Sequence, residues 1–307
     1  MKRRDFIKKT AGATLASTTA LVFGNLNTLF AMQNPPEGET YDMVAVMNGE
    51  PELMFDKAIA SMGGMETFVK KGQTVVVKPN IGWDTNVARA ANTNPKLVKR
   101  IIEQCYNAGA SEVYVFDYTC DEWTKCYTNS EIEPMAKEAG AKVITGNSEK
   151  YYRPVTIPDG VSLKEAKVHE LILDTDVFIN VPILKHHSSA DLSIAMKNLM
   201  GVIWDRRFWH RNDLHQCIAD FTTYCQPDLN VIDAYRVMMQ NGPRGVSESD
   251  VVTYKTQILA TNIVAADAAA AKVFGSDPID IPYIAKASEM GVGTYDLSKL
   301  NINRIKL

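Results

Sequence analysis

Continuous apolar, β-branched runs recur along the first half of the chain, and amphipathic stretches separate them. Such runs are typical of strands that are buried on both faces of a sheet. The predicted strands are Asp42–Met47, Thr74–Lys78, Val113–Asp117 and Lys142–Thr145. The predicted helices are Glu52–Met62, a helix from Asn94 and Pro95 to Ala108, and a helix that a capping box of Ser130 and Glu133 begins and Gly140 ends. This order predicts a parallel sheet with right-handed crossovers.

The second half continues the alternation after an interruption. Periodicity weakens and prolines appear near residues 151–173, which predicts a small antiparallel excursion. Regular order then resumes, with predicted strands at Asp176–Val181, Leu229–Asp233 and Thr253–Ala260 and predicted helices at Asp191–Ile203, Asp213–Tyr224, Val264–Phe274 and Ile281–Met290. The predicted fold class is therefore α/β, with a mostly parallel sheet, helices on both of its faces and this small antiparallel excursion.

The N-terminus predicts export. Lys2-Arg3-Arg4 begins a twin-arginine n-region, and a small apolar run from Thr10 to Phe23 follows it. That run is shorter than the roughly 20 residues that span a bilayer, so we expect a periplasmic protein with no stable membrane anchor after signal removal. A basic N-terminal helix of a cytoplasmic protein is the alternative. The predicted organisation is a signal peptide (1–31), a linker (32–41) and a single α/β domain (42–307), with two lobes at about 42–150 and 174–307 as a variant.

Charge and cysteine content exclude several classes of protein. The chain has 33 Lys and Arg against 36 Asp and Glu, and without residues 1–31 it has 28 against 35, a net charge of −7. This balance argues against nucleic acid as a partner. The five cysteines contain no Cys-x-x-Cys pair, so no iron–sulfur or structural zinc motif is present. The sequence leaves two alternatives for the cysteines. They form short-loop disulfides, Cys120 with Cys126 or Cys217 with Cys225, or they are buried free thiols.

Polar side chains at predicted strand ends form the candidate site. Parallel strands end at one edge of a sheet, where their terminal side chains converge. The side chains expected there are Lys78, Asn80, Asp117, Lys185, His186, His187 and Asp233. Lysines suit a small anionic ligand, and a histidine beside a lysine stays neutral as an acid or base. The catalytic candidates are Lys185, His186 and His187, and the substrate-binding candidates are Lys78, Asn80, Lys197, Asn198, Gly242, Pro243 and Arg244.

Two carboxylates in this set have two alternative roles, and only one of these roles involves a cofactor. Asp117 and Asp233 either hold a divalent metal such as Mg²⁺, Ca²⁺ or Mn²⁺ or orient a histidine. The cofactor is therefore unknown from these residues, with a divalent metal as the candidate. Further along, Arg206 and Arg207 lie in an aromatic-rich segment that is either a lid clamping an anion or a surface loop between helices.

Several blocks of sequence, in order, resemble the DUF362 family. They are VVVKPN (75–80), Thr93-Asn94-Pro95, the strand ending at Asp117, NVPILKHH, MKNLMG, VID (231–233), NGPRG and NIVAADAAAAKVFG. The resemblance spans nearly the entire mature chain and implies that Thr93, as a substrate-binding residue, and Asp267 also belong to the site. Many relatives resemble fusions to ferredoxin-type modules, which implies an exported redox partner, although this chain lacks the cysteines of such a module. It also has Asn262-Ile263 where the family more often has Asp-Pro.

A fainter likeness, around Lys78 to Asp117, is to the lactate racemase family. Its nickel-pincer cofactor is held by a lysine while histidines transfer protons, and the lysine and histidines of residues 185–187 would suit both tasks. We therefore expect an exported enzyme of unknown reaction, with or without a metal or other cofactor, that binds a small anionic substrate and moves a proton or an electron. A non-catalytic anion- or metal-binding protein of the cell envelope is the alternative.

Overall fold

Two β-sheets organise the computed structural model, which describes residues 29–31 and 41–307. The strands are β1 (Met43–Met47), β2 (Thr74–Pro79), β3 (Glu112–Val115), β4 (Lys142–Val143), β5 (Tyr152–Thr156), β6 (Glu165–His169), β7 (Val177–Val181), β8 (Ile183–His187), β9 (Asp191–Ser193), β10 (Leu229–Met238), β11 (Val251–Ala260) and β12 (Ile302–Lys306). Ten of them form the main sheet, and β5 and β6 pair separately.

The α-helices lie mainly between these strands. They are α1 (Pro51–Ser61), α2 (Pro95–Asn107), α3 (Trp123–Asn129), α4 (Ile132–Glu138), α5 (Glu170–Asp174), α6 (Ala195–Asn198), α7 (Arg206–Arg211), α8 (Leu214–Tyr224), α9 (Ile263–Phe274) and α10 (Pro282–Glu289). Local sequence explains several of their ends. The Asn94 side chain, for example, accepts the Lys96 backbone N–H at 3.1 Å and so caps α2, which begins at Pro95.

The main sheet is mostly parallel, which confirms the predicted fold class. Its strand order is β12-β1-β11-β10-β7-β2-β3-β4, with β8 also beside β10 and β9 beside β8. The strands from β10 through β7, β2 and β3 to β4 are parallel neighbours, whereas β11 runs antiparallel to both β1 and β10. The β5–β6 pair is antiparallel and confirms the predicted excursion.

Helices cover both faces of the main sheet. Val75 and Val77 of β2 pack into one apolar core with α1, α2 and α4, while Val76 packs into a second core with α8, α9 and α10. Successive side chains of a strand point to opposite faces. Lys78 therefore lies on the same face as Val76, on the side of the second core.

The predicted helix Asp191–Ile203 is wrong. Residues 191–193 form β9, which pairs antiparallel with β8, and only the single turn of α6 and a 3₁₀ turn at Leu199–Val202 follow. Asp191 has φ of 59°, a left-handed conformation that an α-helix does not contain. The segment is almost wholly buried, and a short buried apolar run has no periodicity that separates helix from strand.

The predicted capping box is also wrong, although the helix it was to begin exists as α4. Ser130 ends the preceding α3, which the sequence did not predict, and its Oγ donates to Tyr127 O at 3.2 Å. Glu131 then takes φ of 62° and makes no side-chain cap, while Glu133 pairs with Lys137 at 2.7 Å. The two short helices meet at this left-handed residue.

The predicted twin-arginine motif and the predicted linker up to residue 40 lie outside the described residues. The helical stretch 29–31 falls inside the predicted signal peptide, yet Leu29 and Phe30 are buried against the second core, at 2% and 6% exposure. Arg304 of β12 donates to Leu29 O. Within the described part of the chain, none of the helices combines the length and apolarity needed to cross a bilayer.

Candidate functional site

A cleft of about 1970 Å³ opens where β2 and β8 end. The segments after β2 and β3 form one wall, and the β5–β6 pair with residues 203–210 forms the other. Ligands of open α/β sheets bind at this edge. The predicted site residues that line the cleft are Lys78, Asn80, Asp117, Lys185, His187, Lys197, Asn198 and Pro243. The predicted residues outside its lining are Thr93, His186, Asp233, Gly242, Arg244 and Asp267.

Lys78 and Asp117 form a buried ion pair at the inner end of the cleft. Lys78 Nζ lies 2.8 Å from Asp117 Oδ1 and also donates to Pro79 O and Asn198 Oδ1, both at 2.9 Å. Asp117 Oδ2 accepts the Ile81 backbone N–H at 2.7 Å, which ties the segment after β2 to the segment after β3. Burial lowers the pKa of Lys78, and the negative charge of Asp117 opposes that shift.

A row of asparagines fixes this pair to the sheet. Lys78, Asn180 and Asn230 are neighbours across β2, β7 and β10, so their side chains share one face. Asn198 Nδ2 donates to Asn180 Oδ1 at 2.9 Å, and Asn180 Nδ2 donates to Asn230 Oδ1 at 3.0 Å. Buried amides that are hydrogen-bonded in series hold one another in a single orientation. Asn198 and the Lys78 amine that it contacts are therefore preorganised.

Asp267 of α9 positions the helix that carries Lys197 and Asn198. Its buried carboxylate accepts the backbone N–H groups of Ala195 at 2.6 Å and Met196 at 3.0 Å. The first N–H groups of a helix have no partner within it, so a carboxylate there anchors the helix start. Asp267 thus lies behind the cleft and acts on the site through α6.

Lys185 is a buried lysine without a carboxylate partner among residues 41–307. Its Nζ donates to Ala91 O and to Asn80 Oδ1, the latter at 3.3 Å. Burial, together with the like charges of Lys197 and Lys78, lowers the pKa of Lys185 to about 7. An amine with this pKa can accept and release a proton at neutral pH.

The two histidines of β8 point in opposite directions. His187 lines the cleft, and its Nδ1 accepts the Ser189 backbone N–H at 3.1 Å, which assigns the ring proton to Nε2. Burial and the charges of Lys197 and Lys185 lower the pKa of His187 to about 2, so the ring is a neutral N–H donor at physiological pH. His186 instead accepts the Gly242 N–H at its Nδ1, at 3.1 Å, outside the cleft lining.

Lys197 has the least engaged amine in the cleft. It is half-buried, and its Nζ makes no hydrogen bond or ion pair with any residue that the structure describes. Burial and the nearby charges of Arg206 and Lys78 lower the pKa of Lys197 to about 8. Because the amines of Lys78 and Lys185 already have protein partners, Lys197 is the lysine left to contact a ligand.

Thr93 and Asp233 lie behind the cleft and hold backbone groups. Thr93 Oγ1 accepts the Asn80 N–H at 2.8 Å and donates to Val181 O at 2.7 Å. Asp233 accepts the backbone N–H groups of Asn94 at 2.7 Å and Tyr235 at 3.0 Å. Its neighbours in β10 place its side chain on the face opposite Lys78, so Asp233 and Asp117 do not share a site as the sequence predicted.

The loop after β10 reaches the cleft at Pro243. A Cβ on Gly242 would lie 1.9 Å from His186 O, so only glycine allows the loop to pass this close to β8. Arg244 Nη2 lies 3.4 Å from Asp121 Oδ2 in a surface ion pair at the rim. Gly242 and Arg244 therefore shape the rim, and neither lines the cleft.

Arg206 adds a fixed positive charge to the outer wall. Its guanidinium donates to Tyr118 O at 2.8 Å and to Thr119 O at 2.7 Å. The guanidinium carbon lies 3.9 Å from the centre of the Tyr118 ring, which also stacks on Trp204 at 5.1 Å. Trp209 is buried, at 1% exposure, while Arg207 is exposed. This aromatic-rich segment is thus packed onto the body and forms a wall of the cleft.

A model of the family described as "Domain of unknown function (DUF362)" matches residues 75–272, which is more than half of the chain. The chain belongs to this family. The resemblance predicted from the sequence blocks is therefore confirmed, and the Lys78, Lys185 and Lys197 cleft lies within the matched range.

Two further proteins are similar to this DUF362 chain. The thylakoid-associated protein sll1697 of Synechocystis sp. is 23% identical over 241 residues, which cover 75% of this chain and 72% of that protein. The lactate racemase apoprotein of Thermoanaerobacterium thermosaccharolyticum is a structural neighbour with a TM-score of 0.45 and 11% identity, covering 73% of this chain. This chain spans 55% of the racemase's length.

The cleft of this DUF362 protein does not fit a divalent cation. Asp117 is the carboxylate at its inner end, and that carboxylate is already neutralised by Lys78. Divalent cations need several oxygen ligands that are free of other cations. Across residues 29–31 and 41–307, His, Cys, Asp and Glu side chains form no group of three or more that could hold a metal. Among these residues, Asp117 and Asp233 thus have no further side chains with which to complete the predicted metal site.

Two residues that line the DUF362 cleft were not predicted as site residues from the sequence. Cys120 is exposed on the wall, where its Sγ accepts from Arg206 Nη1 at 3.4 Å, and it is free, as are the other four cysteines. Gly201 lies beside the buried ion pair, and a Cβ there would be 1.8 Å from Asp117 Oδ1. Gly201 ends the MKNLMG block, so the block carried the signal, whereas Cys120 had no distinguishing spacing.

Proposed function

We propose that this DUF362 protein is an enzyme that binds a small carboxylate or phosphate in the cleft and transfers a proton to or from it. One observation carries the proposal. Lys78, Lys185 and Lys197 converge on one cleft, and among the described residues only Lys78 has a carboxylate partner. Lys185 and Lys197, with Arg206 on the wall, carry positive charge that no carboxylate of the described chain pairs with, and a bound anion would neutralise it.

Burial makes this excess charge effective. Charges that are shielded from water interact more strongly than exposed charges at the same distance. The pKa values of Lys185 and Lys197 are lowered because burial makes their ammonium forms less stable in the cleft than in water. A bound anion favours the ammonium forms, so ligand binding and proton uptake are coupled.

Lys185 is the residue that we assign to proton transfer. Its pKa of about 7 lets it exchange a proton with a bound substrate at neutral pH. His187 contributes differently, because its Nδ1 is occupied and its Nε2–H can only donate a hydrogen bond to a substrate oxygen. This assignment moves the basic role that the sequence gave to histidine onto lysine.

We also propose that the protein is exported to the periplasm through its twin-arginine n-region. The support is the Lys2-Arg3-Arg4 sequence and the apolar run after it. Replacing Arg3 and Arg4 together with lysine should leave the protein in the cytoplasmic fraction. Equal periplasmic amounts of both forms would refute this part of the proposal. The exported redox partner and electron transfer stay predictions.

The proposed reaction class is tested with simple anions. Calorimetry should detect binding of phosphate, malonate or pyruvate that weakens as salt concentration rises, because screening reduces attraction between charges. Proton NMR in D₂O should then show protein-dependent exchange of the pyruvate methyl hydrogens. Binding without exchange would favour the alternative of a non-catalytic anion-binding protein of the cell envelope. No binding of any of these anions would contradict the assignment of the cleft.

A further inference from the structure

Lys197 differs from the other two lysines in having an amine without a partner among the residues that the structure describes. Lys78 Nζ is fixed by Asp117, Pro79 and Asn198, and Lys185 Nζ is fixed by Ala91 and Asn80. Lys197 Nζ faces the cleft with no hydrogen bond or ion pair from the described part of the chain. Across residues 29–31 and 41–307, therefore, no group holds its protons or blocks its nitrogen from a ligand.

The surroundings of Lys197 raise the fraction of neutral amine, which is the nucleophilic form, above that of an exposed lysine. Burial is the main cause of the lowered pKa of Lys197, and the positive charges of Arg206 and Lys78 act in the same direction. With a pKa of about 8, about a tenth of the Lys197 side chains are neutral at pH 7. Exposed lysines, with pKa values near 10.4, are neutral in far less than a hundredth of molecules at that pH.

A donor for the oxygen of an electrophile faces the same cleft. His187 offers Nε2–H, because its Nδ1 already accepts from Ser189 N–H. Lys185 supplies an amine that gains and loses a proton near neutral pH. A nucleophilic amine, an N–H donor and a proton carrier are the groups that condensation of an amine with a carbonyl requires.

We infer that Lys197 forms an imine with its substrate and that the site takes a carboxylate that also bears a ketone or aldehyde, such as a 2-oxo acid. This inference rests on the proposed anion site and names its substrate class. The excess positive charge holds the carboxylate, and the carbonyl carbon then lies against Lys197.

The step balances without an oxidant or a reductant. The neutral amine of Lys197 adds to the carbonyl carbon, the C–N bond forms, and the amine loses one proton while the oxygen gains one. Departure of that oxygen as water takes a further proton from Lys185 and leaves a protonated C=N bond. The positive charge of this bond acidifies the adjacent C–H, whose proton Lys185, now neutral, accepts. The imine thereby explains how the cleft would achieve the proposed proton transfer at carbon.

The test traps the imine chemically. The full-length protein is incubated with pyruvate and sodium borohydride, and the adduct is located by intact mass and peptide mapping. We expect a single adduct on Lys197 that needs both reagents, that Lys197→Arg abolishes and that Lys57→Arg, on the exposed face of α1, leaves unchanged. An adduct on Lys185, adducts spread over surface lysines, or no adduct would overturn the inference.

Malonate separates this failure from failure of the anion site, because malonate has carboxylates but no ketone. If malonate binds and pyruvate gives no adduct, the imine is wrong and the anion site stands. If neither anion binds, both proposals are wrong. Circular dichroism and a thermal midpoint check that Lys197→Arg is folded, and mapping of the wild-type adduct locates the amine even if that variant is not.

Discussion

Lys78 Nζ lies 2.8 Å from Asp117 Oδ1, and both side chains are almost completely buried, at 1% and 3% exposure. This pair closes the inner end of the cleft. It also neutralises one of the three lysine charges of the cleft, because Asp117 pairs with Lys78 alone among the described residues. The two lysines that remain are the basis of the proposed anion site.

The buried pair predicts a large cost for removing its negative member. Asp117→Asn keeps the shape of the side chain but leaves the Lys78 ammonium buried without a counter-charge. Breaking a buried ion pair in this way typically costs about 3–5 kcal/mol. We expect the urea midpoint of Asp117→Asn to fall accordingly, and the double variant Lys78→Met/Asp117→Asn to recover most of the loss.

An exposed pair serves as the matched control. Lys99 Nζ lies 2.6 Å from Glu138 Oε1, but the Glu138 side chain is 65% exposed. Solvent screens such pairs, so Glu138→Gln should shift the urea midpoint far less than Asp117→Asn. Equal shifts for the two variants would show that burial of the Lys78 pair has no energetic importance.

Gly201 predicts a steric requirement at the same place. A Cβ there would lie 1.8 Å from Asp117 Oδ1 and 2.6 Å from Lys78 Nζ, so Gly201→Ala must displace the buried pair. Overpacking of this kind costs about 1–3 kcal/mol. Gly82→Ala is the control, because its Cβ would meet Asn80 Oδ1 at 3.4 Å. Chemical denaturation should give Gly201→Ala a much lower free energy of unfolding than Gly82→Ala. The reverse order would contradict the geometry.

Lys185 predicts a pH-dependent stability difference. The pKa of Lys185 is about 7 in the fold against 10.5 ordinarily, so between these values the unfolded chain binds more protons than the folded chain. The free energy of unfolding therefore rises with pH across that window. The destabilisation caused by burying the Lys185 ammonium is largest below pH 7. Lys185→Met should be more stable than wild type by on the order of 4 kcal/mol at pH 6.5. That advantage should shrink steadily up to about pH 10.5.

Urea unfolding at pH 6.5, 8 and 9.5 measures this difference. A constant gap between wild type and Lys185→Met at all three values would mean that Lys185 carries its charge in the fold. The same variant should lose the proposed activity at every pH, which is the usual conflict between stability and function at a buried charged site.

Leu29 and Phe30 predict that the N-terminal boundary affects stability. Both are buried, and the predicted signal cleavage after Ala31 would remove them. Burying one such side chain is worth about 1.5–3 kcal/mol. A chain that begins at Leu29 should therefore unfold at higher urea than a chain that begins at Met32. Identical midpoints would show that these two residues contribute nothing to the fold.

Much of the fold could be predicted because its central strands are uniformly apolar. All of Thr74–Lys78 except Thr74 and all of Val113–Asp117 except Tyr114 are buried, and such runs leave few alternatives to a strand of a parallel sheet. Residues 302–306 were not predicted as a strand. They hold two isoleucines among three polar residues, without the period-2 alternation of a half-buried strand. They pair with β1 near the other end of the described chain, a long-range contact that local sequence does not encode.

The site was predictable where a strand ends and less so where side-chain direction matters. Lys78 and Lys185 follow apolar runs, so their place at the edge of the sheet could be inferred. His186 and Asp233 were placed in the site as well, but alternation along β8 and β10 turns both away from the cleft. Which of two adjacent residues faces a crevice depends on the register of strands, and register follows from tertiary pairing.

The most direct test of the account is a calorimetric titration of malonate into wild type, Lys197→Met and the exposed-lysine control Lys57→Met. Hydrogen bonds to charged groups are worth about 1.5–3 kcal/mol, so the loss of Lys197 should weaken binding at least about tenfold. Lys57→Met should bind as wild type does. Equal affinity in all three proteins would contradict the claim that the unpartnered Lys197 amine makes this cleft an anion site.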